Sequence, residues 1–436
     1  MKKLAAEHHV GIETYLTSTE GIGGILRSTP QDFIVTEQPL PYTTDSSGSF
    51  AIAQVTSSNW ETNHLIRELS KRLHISRKRI GFAGTKDKRA VTTQYMSFAQ
   101  VPEDALNSLQ LSDVTIQYCR QQEKPLRLGD LYGNDFLVII RNLSPLVSSE
   151  TIRKCSDILQ HQGGFPNFFG IQRFGTIRPI THLVGKDIVK GDLKAAVMRY
   201  LTQVFPDENA TITNVRKRLK ISKDFGEAFT QFPKNCTFEK ALAHYLHEQP
   251  DDYSGALEQL PKNLLTMFIY AYQSYLFNRI LSTRLKQGMS LNTPQLGDIV
   301  FPCSKQGIEE KVIPVTKENI EKVNTQLQKR KAVITGILIG SQPIYAQGDM
   351  GEIEQHIIEQ EHLNPQEFII PELPYLSSSG TRRSILAPIE NLTWSLDSDD
   401  LHPNHLALIL EFFLPKGSYA TCVLREFMKA EDLTVY

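Results

Sequence analysis

The sequence has few cysteines, and they follow no pattern that binds metal or forms a disulfide framework. Its 436 residues include five cysteines, an odd number, and no two of them form a Cys-x-x-Cys pair. Thiolate zinc sites and small disulfide-rich domains both need closely spaced cysteines. The cysteine content therefore argues against both. It fits a reducing compartment, which we expect to be the cytoplasm.

Long apolar runs are also missing. The longest, around residues 333–340, is far shorter than the roughly 20 residues that cross a bilayer. Near the start, Glu7, His8 and His9 interrupt the apolar stretch before the core of a signal peptide could form. We therefore expect neither secretion nor insertion into a membrane.

Neither sign of charge is in excess. Lysine and arginine total 47 and aspartate and glutamate total 48, which gives a formal net charge of -1. The molecule as a whole is no polycation, so any nucleic-acid partner must be bound by a local basic patch. With 40% hydrophobic and 22% charged residues, the composition is that of a folded protein, and the length suggests two or three domains.

Several cofactor motifs are absent. The glycines at 21–24 (GIGG) lack the GxGxxG order of dinucleotide-binding loops, and neither GxxxxGK[ST] nor HExxH occurs. His356 and His362 are six residues apart and would not share a helical face as zinc ligands. The sequence therefore gives no support to NAD-type, ATP-hydrolysing or zinc-dependent chemistry.

The apolar pattern predicts strands and helices in irregular order. Residues 31–37 alternate apolar and polar side chains, which indicates a strand. Thr62 can cap a helix that carries Leu65, Leu69 and Leu73 on one face. Because strands and helices are mixed without regular alternation, we expect an α+β fold rather than a doubly wound α/β fold.

Two further stretches predict the secondary structure of the later part of the chain. Residues 182–290 have a helical pattern, most clearly at 263–288, and this region could belong to a second domain. Residues 405–414 return to the pattern of a strand, and a helix is expected to follow it at the end.

The densest charge lies between residues 71 and 89. Phosphate binding and a solvated helix face explain it about equally well. The single acid in this segment, Asp87, could serve as a nucleophile or base in a glycine-framed loop, although a turn-capping aspartate is the commoner role. The eight basic residues are Lys71, Arg72, Arg77, Lys78, Arg79, Lys86, Lys88 and Arg89.

A second candidate is the segment NFFGIQRFG at 167–175. Its aromatic rings offer a stacking platform for nucleic-acid bases, and its arginine could add stacking or a phosphate contact. A hydrophobic turn would explain the phenylalanines equally well, but not Asn167, Gln172 and Arg173 beside them. The arginines at 382–384 (RRS) and the basic run at 216–223 are most simply solvated surface.

Taken together, these blocks resemble the TruD-type pseudouridine synthases over nearly the whole chain. The resemblance rests on GFAGTKDKRAVTTQ (81–94), NFFGIQRFG (167–175), YQSYLFNRILSTRL (272–285), SSGTRRSIL (378–386) and FLPKGSYATCVLRE (413–426). The segment PQDFIVTE (30–37) also resembles the P-E-D-F-x-V-x-E of the family. Five ordered blocks are far more specific than one motif.

The resemblance implies a fold and its domains. The family has a mostly antiparallel, mixed sheet flanked by helices and crossed by a cleft, with a family-specific α/β domain inserted into it. Carried over, residues 1–165 and 386–436 form the catalytic domain and 166–385 the inserted TRUD domain, whose start still lines the catalytic cleft.

The resemblance also implies roles for five residues. Asp87 is expected to be the catalytic aspartate, and Phe169 the ring that stacks on the target base. Asn167 is expected to form hydrogen bonds within the active loop and fix the position of Asp87. Lys86 and Arg27 could keep Asp87 ionised and hold phosphate, although Arg27 matches only the basic position ahead of PQDF.

The expected reaction is the isomerisation of a uridine, most simply uridine 13 of transfer RNA, to pseudouridine with no cofactor and no metal. The N1 to C1′ bond breaks, the uracil turns, and C5 joins C1′. The alternative is a non-catalytic RNA-binding or chaperone protein on the same scaffold, while an RNA methyltransferase is disfavoured by the lack of a glycine-rich cofactor loop. Transfer RNA is the expected partner, and a monomer is favoured over an oligomer.

Overall fold

A computed structural model describes residues 5–41, 48–175, 177–206, 208–304 and 307–430. Residues 1–4, at the start of the segment considered for a signal peptide, and 431–436, at the end of the expected catalytic domain, lie outside these ranges. The described chain divides into two compact units. The sheet unit comprises Thr17–Phe165 and Ala387–Ala430, and the helical unit comprises the residues up to Leu16 and Pro166–Leu386.

The sheet unit is built around a large mixed sheet. Nine described strands belong to it. Along the main path the order is 390–398, 406–415, 131–143, 33–39, 91–99, 50–58 and 114–122, and all neighbours are antiparallel except 33–39 with 91–99. In chain order the strands are Ile25–Leu26, Phe33–Pro39, Phe50–Ser58, Ile80–Phe82, Val91–Ala99, Val114–Gln122, Leu131–Leu143, Glu390–Ser398 and Leu406–Pro415.

Helices of the sheet unit bury their apolar faces. The predicted helix with a leucine face runs Thr62–Arg72, and Leu65 and Leu69 are fully buried in a cluster that includes Val55 and Phe98 of the sheet. Leu73 lies one residue beyond this helix and is partly buried against the same cluster. The other helices are Glu103–Asn107, Ser149–Gln162 and Ala420–Met428, and Pro30–Asp32 and Arg77–Arg79 are short 3-10 turns.

The helical unit packs around one long helix, Lys262–Lys286. The helix predicted at 263–288 is thus confirmed, and Leu265, Ile269 and Leu276 are buried as their spacing indicates. The other α-helices are Ala5–His8, Thr181–Val189, Leu193–Thr202, Ala210–Ser222, Phe225–Gln231, Thr237–Glu248, Tyr253–Glu258, Ile320–Gln328 and Gly348–Gln360. The 3-10 turns are Ile171–Arg173, Pro365–Phe368 and Pro374–Leu376.

A smaller antiparallel sheet completes the helical unit. Its described strands are Ile299–Ser304, Gly307–Ile308, Ile313–Pro314, Ala332–Leu338 and Thr381–Ser384. Two further short strands, Gly164–Pro166 and Leu386–Pro388, pair with each other. Helices and mostly antiparallel strands thus mix in both units, which confirms the expected α+β class.

The first described residues differ in one respect from the expected domain boundaries. The segment up to Leu16 belongs to the helical unit, although the expected catalytic domain includes it. Ser282 Oγ accepts a hydrogen bond from the Glu13 amide at 3.0 Å, and Asn278 donates one to the Val10 carbonyl at 2.9 Å. These contacts bind the segment to the long central helix.

Among the described residues, no helix is both long enough and apolar enough to cross a bilayer.

Candidate active site

The loop that carries Asp87 connects the strands Ile80–Phe82 and Val91–Ala99 and is tied down at several points. The Lys86 amide donates to the hydroxyl of Thr62 at 2.9 Å. At its start, the Ala83 carbonyl accepts a hydrogen bond from the Gly129 amide at 2.8 Å. The loop is therefore anchored at Ala83 and at Lys86, the residue directly before Asp87.

Thr62 serves this loop instead of capping its helix, so the expected cap is wrong. The N-cap is Glu61, whose carboxylate accepts from the amides of Asn63 at 3.0 Å and His64 at 2.8 Å. A glutamate side chain is long enough to reach both amides. The Thr62 hydroxyl is thereby left to accept the bond from Lys86.

Asp87 forms an ion pair with Arg27. The Nη2 atom of Arg27 lies 3.3 Å from Oδ2 of Asp87, and the side chains are 9% and 39% exposed. Burial is the largest influence on the pKa of the Arg27 guanidinium and lowers it, while the charge of Asp87 acts in the opposite direction. Because arginine stays protonated in proteins, a fixed positive charge stabilises a carboxylate that solvent can still reach.

The Arg27 guanidinium is itself held in place. It lies over the ring of Phe33, with its central carbon 4.1 Å from the ring centroid, at the distance of a cation–π contact. The backbone of Arg27 has a φ of 57°, in the left-handed region that non-glycine residues seldom adopt. Its Nε atom has no hydrogen-bond acceptor in the described part of the chain.

Lys86 has a different partner from the expected one. Its ammonium forms an ion pair with Glu37, and the two side chains are only 5% and 1% exposed. Glu37 also accepts a hydrogen bond from the Tyr95 amide at 3.2 Å. Because Glu37 takes this buried ammonium, Lys86 anchors the loop rather than contacting Asp87 or presenting a charge to phosphate.

The structure separates the eight basic residues of 71–89 into two groups. Lys71 pairs with Glu68 at 2.8 Å, Lys86 pairs with Glu37, and Arg79 donates to the Ala99 carbonyl at 3.1 Å. The other five are exposed and have no ion-pair partner within the described residues. These are Arg72, Arg77, Lys78, Lys88 and Arg89.

The three phenylalanines of 167–175 do not share one environment. Phe168 and Phe174 are fully buried, whereas Phe169 is 9% exposed. The Phe169 ring meets Phe277 edge to face, with centroids 5.6 Å apart. Asn278 fixes its backbone, accepting from the Phe169 amide at 2.9 Å and donating to its carbonyl at 3.0 Å. All three rings are thus buried, as the hydrophobic interpretation predicts, and Phe169 is the only one of them with a small accessible fraction.

Arg383, on the strand Thr381–Ser384, supports the same segment through Asn167 and Phe169. Nδ2 of Asn167 donates to the Ser384 carbonyl at 2.8 Å, and its Oδ1 accepts from Nη2 of Arg383 at 2.6 Å. The Arg383 guanidinium also covers the Phe169 ring at 4.2 Å from its centroid. Arg383 therefore orients both the amide and the ring.

The interpretation of 382–384 as solvated surface is wrong. Arg382 is buried and pairs with Glu354, with Nη2 2.6 Å from Oε1, while Arg383 points toward Asn167. Neighbouring residues of a strand point to opposite faces, so two adjacent arginines serve two different sites. The block SSGTRRSIL was the signal that could have identified them.

The five expected site residues thus occupy two units. Arg27, Lys86 and Asp87 belong to the sheet unit, and Asn167 and Phe169 belong to the helical unit. The structure brings Arg27 to Asp87 in the first unit, and Asn167 and Phe169 to a common partner, Arg383, in the second. Among the described residues, no three His, Cys, Asp or Glu side chains form a group that could hold a metal ion.

Comparison with known proteins decides the family. The model of the family described as tRNA pseudouridine synthase D (TruD) matches residues 9–427. The chain belongs to the TruD family. Pseudouridine synthases are isomerases, in agreement with the expected enzyme class.

Individual TruD relatives match along their whole length. A protein of Methanococcoides burtonii named "Probable tRNA pseudouridine synthase D" is 42% identical over 432 residues, which cover 98% of each chain. One of the same name from Thermococcus sibiricus is 37% identical, with 95% of this chain and 97% of the relative covered. The crystal structure of a TruD-family protein from Methanosarcina mazei matches with a TM-score of 0.90 and 40% identity over 100% of both chains.

Proposed function

We propose that the protein is a tRNA pseudouridine synthase that converts uridine 13 of transfer RNA to pseudouridine without a cofactor or metal. Membership of the TruD family supports the reaction class. The observation that carries the proposal is the pairing of the accessible Asp87 carboxylate with the buried Arg27 guanidinium in an anchored loop. A surface that only binds RNA gains nothing from an acid at the centre of its positive charge.

Asp87 is the proposed catalytic residue. The N1 to C1′ bond of the uridine breaks and a C5 to C1′ bond forms, while the proton on C5 is lost and N1 gains one. No oxidant or energy source is needed because the product is an isomer of the substrate. A carboxylate can attack C1′ or C6 and later leave, or take a proton from C2′.

Arg27 is proposed to serve both the carboxylate and the substrate. Its guanidinium pairs with the Asp87 carboxylate, and arginine is a donor suited to a phosphate oxygen of the bound nucleotide. Lys86 acts indirectly, since its pairing with Glu37 holds the backbone next to Asp87. It is therefore proposed as a positioning residue.

Phe169 is proposed to stack on the target uracil, with Asn167 ordering the segment around it. A phenylalanine ring neither gives nor takes a proton, so it can only pack and orient. Removing a base from its helix costs a few kcal/mol, and stacking of about 1 to 3 kcal/mol per base offsets part of that cost. The contacts with Arg383 and Phe277 hold the ring ready for this role.

We also propose the domain assignment carried by the family. Residues 1–165 and 386–436 would form the catalytic domain, and 166–385 the inserted TRUD domain. The limits of the two compact units, at Phe165 and Leu386, support these boundaries. The residues up to Leu16 are the exception, since they pack in the helical unit.

The function is tested by incubating the purified protein with unmodified transfer RNA transcripts and mapping pseudouridine by carbodiimide labelling and reverse transcription. We expect one new stop, at position 13, in buffer that contains a chelator and no added cofactor. A stop at another position would refute the proposed target. Tight binding without any product would refute the enzyme and support the RNA-binding alternative.

Replacing Phe169 by leucine is expected to lower kcat/KM for transfer RNA by about 5-fold to 150-fold, which corresponds to the loss of 1 to 3 kcal/mol of base stacking. Leucine keeps most of the apolar contact with Phe277, so the melting temperature should change little. Initial rates of pseudouridine formation over a range of transfer RNA concentrations measure the effect.

The control for this variant is Phe169→Tyr, which keeps an aromatic face and should retain most of the activity. If Phe169→Leu were as active as the unmodified protein, the ring would be a packing residue and not a stacking platform. If both variants lost activity together with thermal stability, the proposed base contact would also be refuted.

A further inference from the structure

A second group of cations lies at the far end of the helix Thr62–Arg72 and is not used by the proposed active site. We call Arg72, Arg77 and Lys78 the Arg72 patch. All three side chains are exposed, and none has a hydrogen-bond acceptor or an ion-pair partner within the described residues. No described residue neutralises these three charges, so they are available to an anionic ligand.

The backbone that presents the Arg72 patch is rigid. After the helix ends, the Ile75 amide donates to the Ser70 carbonyl at 3.0 Å, and the Arg79 amide donates to the Ser76 carbonyl at 2.9 Å. Leu73 and Ile75 pack against the buried cluster of the sheet unit. The backbone positions of the three residues are therefore fixed relative to the sheet unit.

Arg72 of the patch also lines a groove. This groove has a volume of about 770 Å³, and its polar lining residues are Lys71, Arg72, His74, Ser108 and Gln110. The remaining lining residues are the apolar Leu73, Ala105 and Leu109, and no carboxylate lines the groove in the described chain. Glu103 and Asp104 begin the adjoining helix, whose opposite end reaches the groove.

The same helix links the patch to the loop that carries Asp87. Thr62, at its first residue, accepts the hydrogen bond from Lys86, next to Asp87. Arg72, at its last residue, lies about 15 Å further along, since an α-helix rises 1.5 Å per residue. A single phosphate group cannot span this distance, whereas an extended polyanion can.

We propose that the Arg72 patch and its groove form a docking surface for the phosphodiester backbone of RNA, separate from the site that holds the target uridine. The inference rests on the proposed function in taking transfer RNA as the ligand. Arginine donates in pairs to phosphate oxygens, and Ser108 and Gln110 suit ribose hydroxyls. Contacts of this kind position a nucleic acid without reading its sequence.

The test replaces all three cations in one variant, Arg72→Gln/Arg77→Gln/Lys78→Gln. Each phosphate contact on a single strand contributes about 0.7 to the slope of log K against log salt, so the slope should become shallower by about 2. At 0.1 M salt the dissociation constant for transfer RNA should rise roughly 10-fold to 100-fold. Fluorescence anisotropy with labelled transfer RNA over a series of salt concentrations measures both.

A matched variant controls for net charge. Lys217→Gln/Lys220→Gln/Lys223→Gln also changes the formal net charge from -1 to -4, a loss of three positive charges, at exposed positions on or next to the helix Ala210–Ser222. We expect its affinity to stay within about twofold of the unmodified protein. Equal weakening by both variants, or an unchanged slope in the first, would overturn the docking surface.

Steady-state kinetics of pseudouridine formation distinguish the docking surface from the proposed catalytic function. The Arg72 patch variant should have a raised KM for transfer RNA and an unchanged kcat, because no patch residue contacts the reacting atoms. A fall in kcat at saturating transfer RNA would refute a role in docking alone. If the unmodified protein made no pseudouridine, the proposed function would fail, while the difference in salt slope would still decide the docking surface.

Discussion

Replacing Asp87 by asparagine is expected to abolish pseudouridine formation while leaving the affinity for transfer RNA nearly unchanged. The amide has the shape of the carboxylate but cannot act as a nucleophile or base. Removing a catalytic nucleophile typically costs a factor on the order of 10⁴ or more in turnover. Single-turnover assays with excess enzyme measure the chemical step, and anisotropy measures binding.

One control variant makes this result specific. Asp113→Asn changes an exposed acid of the same unit at a positive φ, where asparagine is well tolerated, and should leave activity intact. If the Asp87→Asn variant still produced pseudouridine at a rate comparable to that of the unmodified protein, the chemistry would belong to another residue. If the variant lost transfer RNA binding as well, Asp87 would be structural.

Replacing Lys86 by methionine is expected to destabilise the sheet unit by about 3 to 5 kcal/mol, because it leaves the buried Glu37 carboxylate without its counter-charge. The two tryptophans of the chain, Trp60 and Trp394, both belong to this unit. Intrinsic tryptophan fluorescence during urea denaturation therefore reports the unfolding of the sheet unit without interference from the helical unit.

The double variant Lys86→Met/Glu37→Gln is the control. It removes both charges, and the glutamine oxygen can still accept from the Tyr95 amide, so most of the lost stability should return. A loss below about 1 kcal/mol in the single variant would show that the pair does not anchor the loop. Failure of the double variant to recover would assign the effect to packing of the lysine stem.

Local patterns predicted the elements that position the site. The spacing of Leu65 and Leu69, and of Leu265 and Leu276, identified two helices because burial on one helical face is encoded within a few residues. The cap at Thr62 was mispredicted because the longer side chain of Glu61 takes the amides of Asn63 and His64. A one-residue difference of this kind depends on side-chain reach rather than on periodicity.

Contacts between distant residues could not be predicted in this way. Glu37 and Lys86 meet because the strand of Glu37 pairs with Val91–Ala99, the strand that follows the loop of Lys86. Arg383 reaches Phe169 from a strand more than 200 residues away in the chain. The family resemblance supplied Asp87, Phe169 and Asn167 as candidates. It did not identify Arg383 as the partner of Phe169 and Asn167. Such pairings follow from tertiary structure, which no local pattern of one sequence contains.

The sheet unit is assembled from two segments that are separated by Pro166–Leu386 of the helical unit, and this affects how the chain is made. The strand Leu131–Leu143 pairs with Phe33–Pro39 on one side and with Leu406–Pro415 on the other. At about 5 to 20 residues per second, a ribosome needs tens of seconds to produce the intervening residues. During that time one edge of the strand Leu131–Leu143 has unpaired amides and carbonyls. The strand Leu406–Pro415, which pairs with this edge, is made only when translation is almost complete.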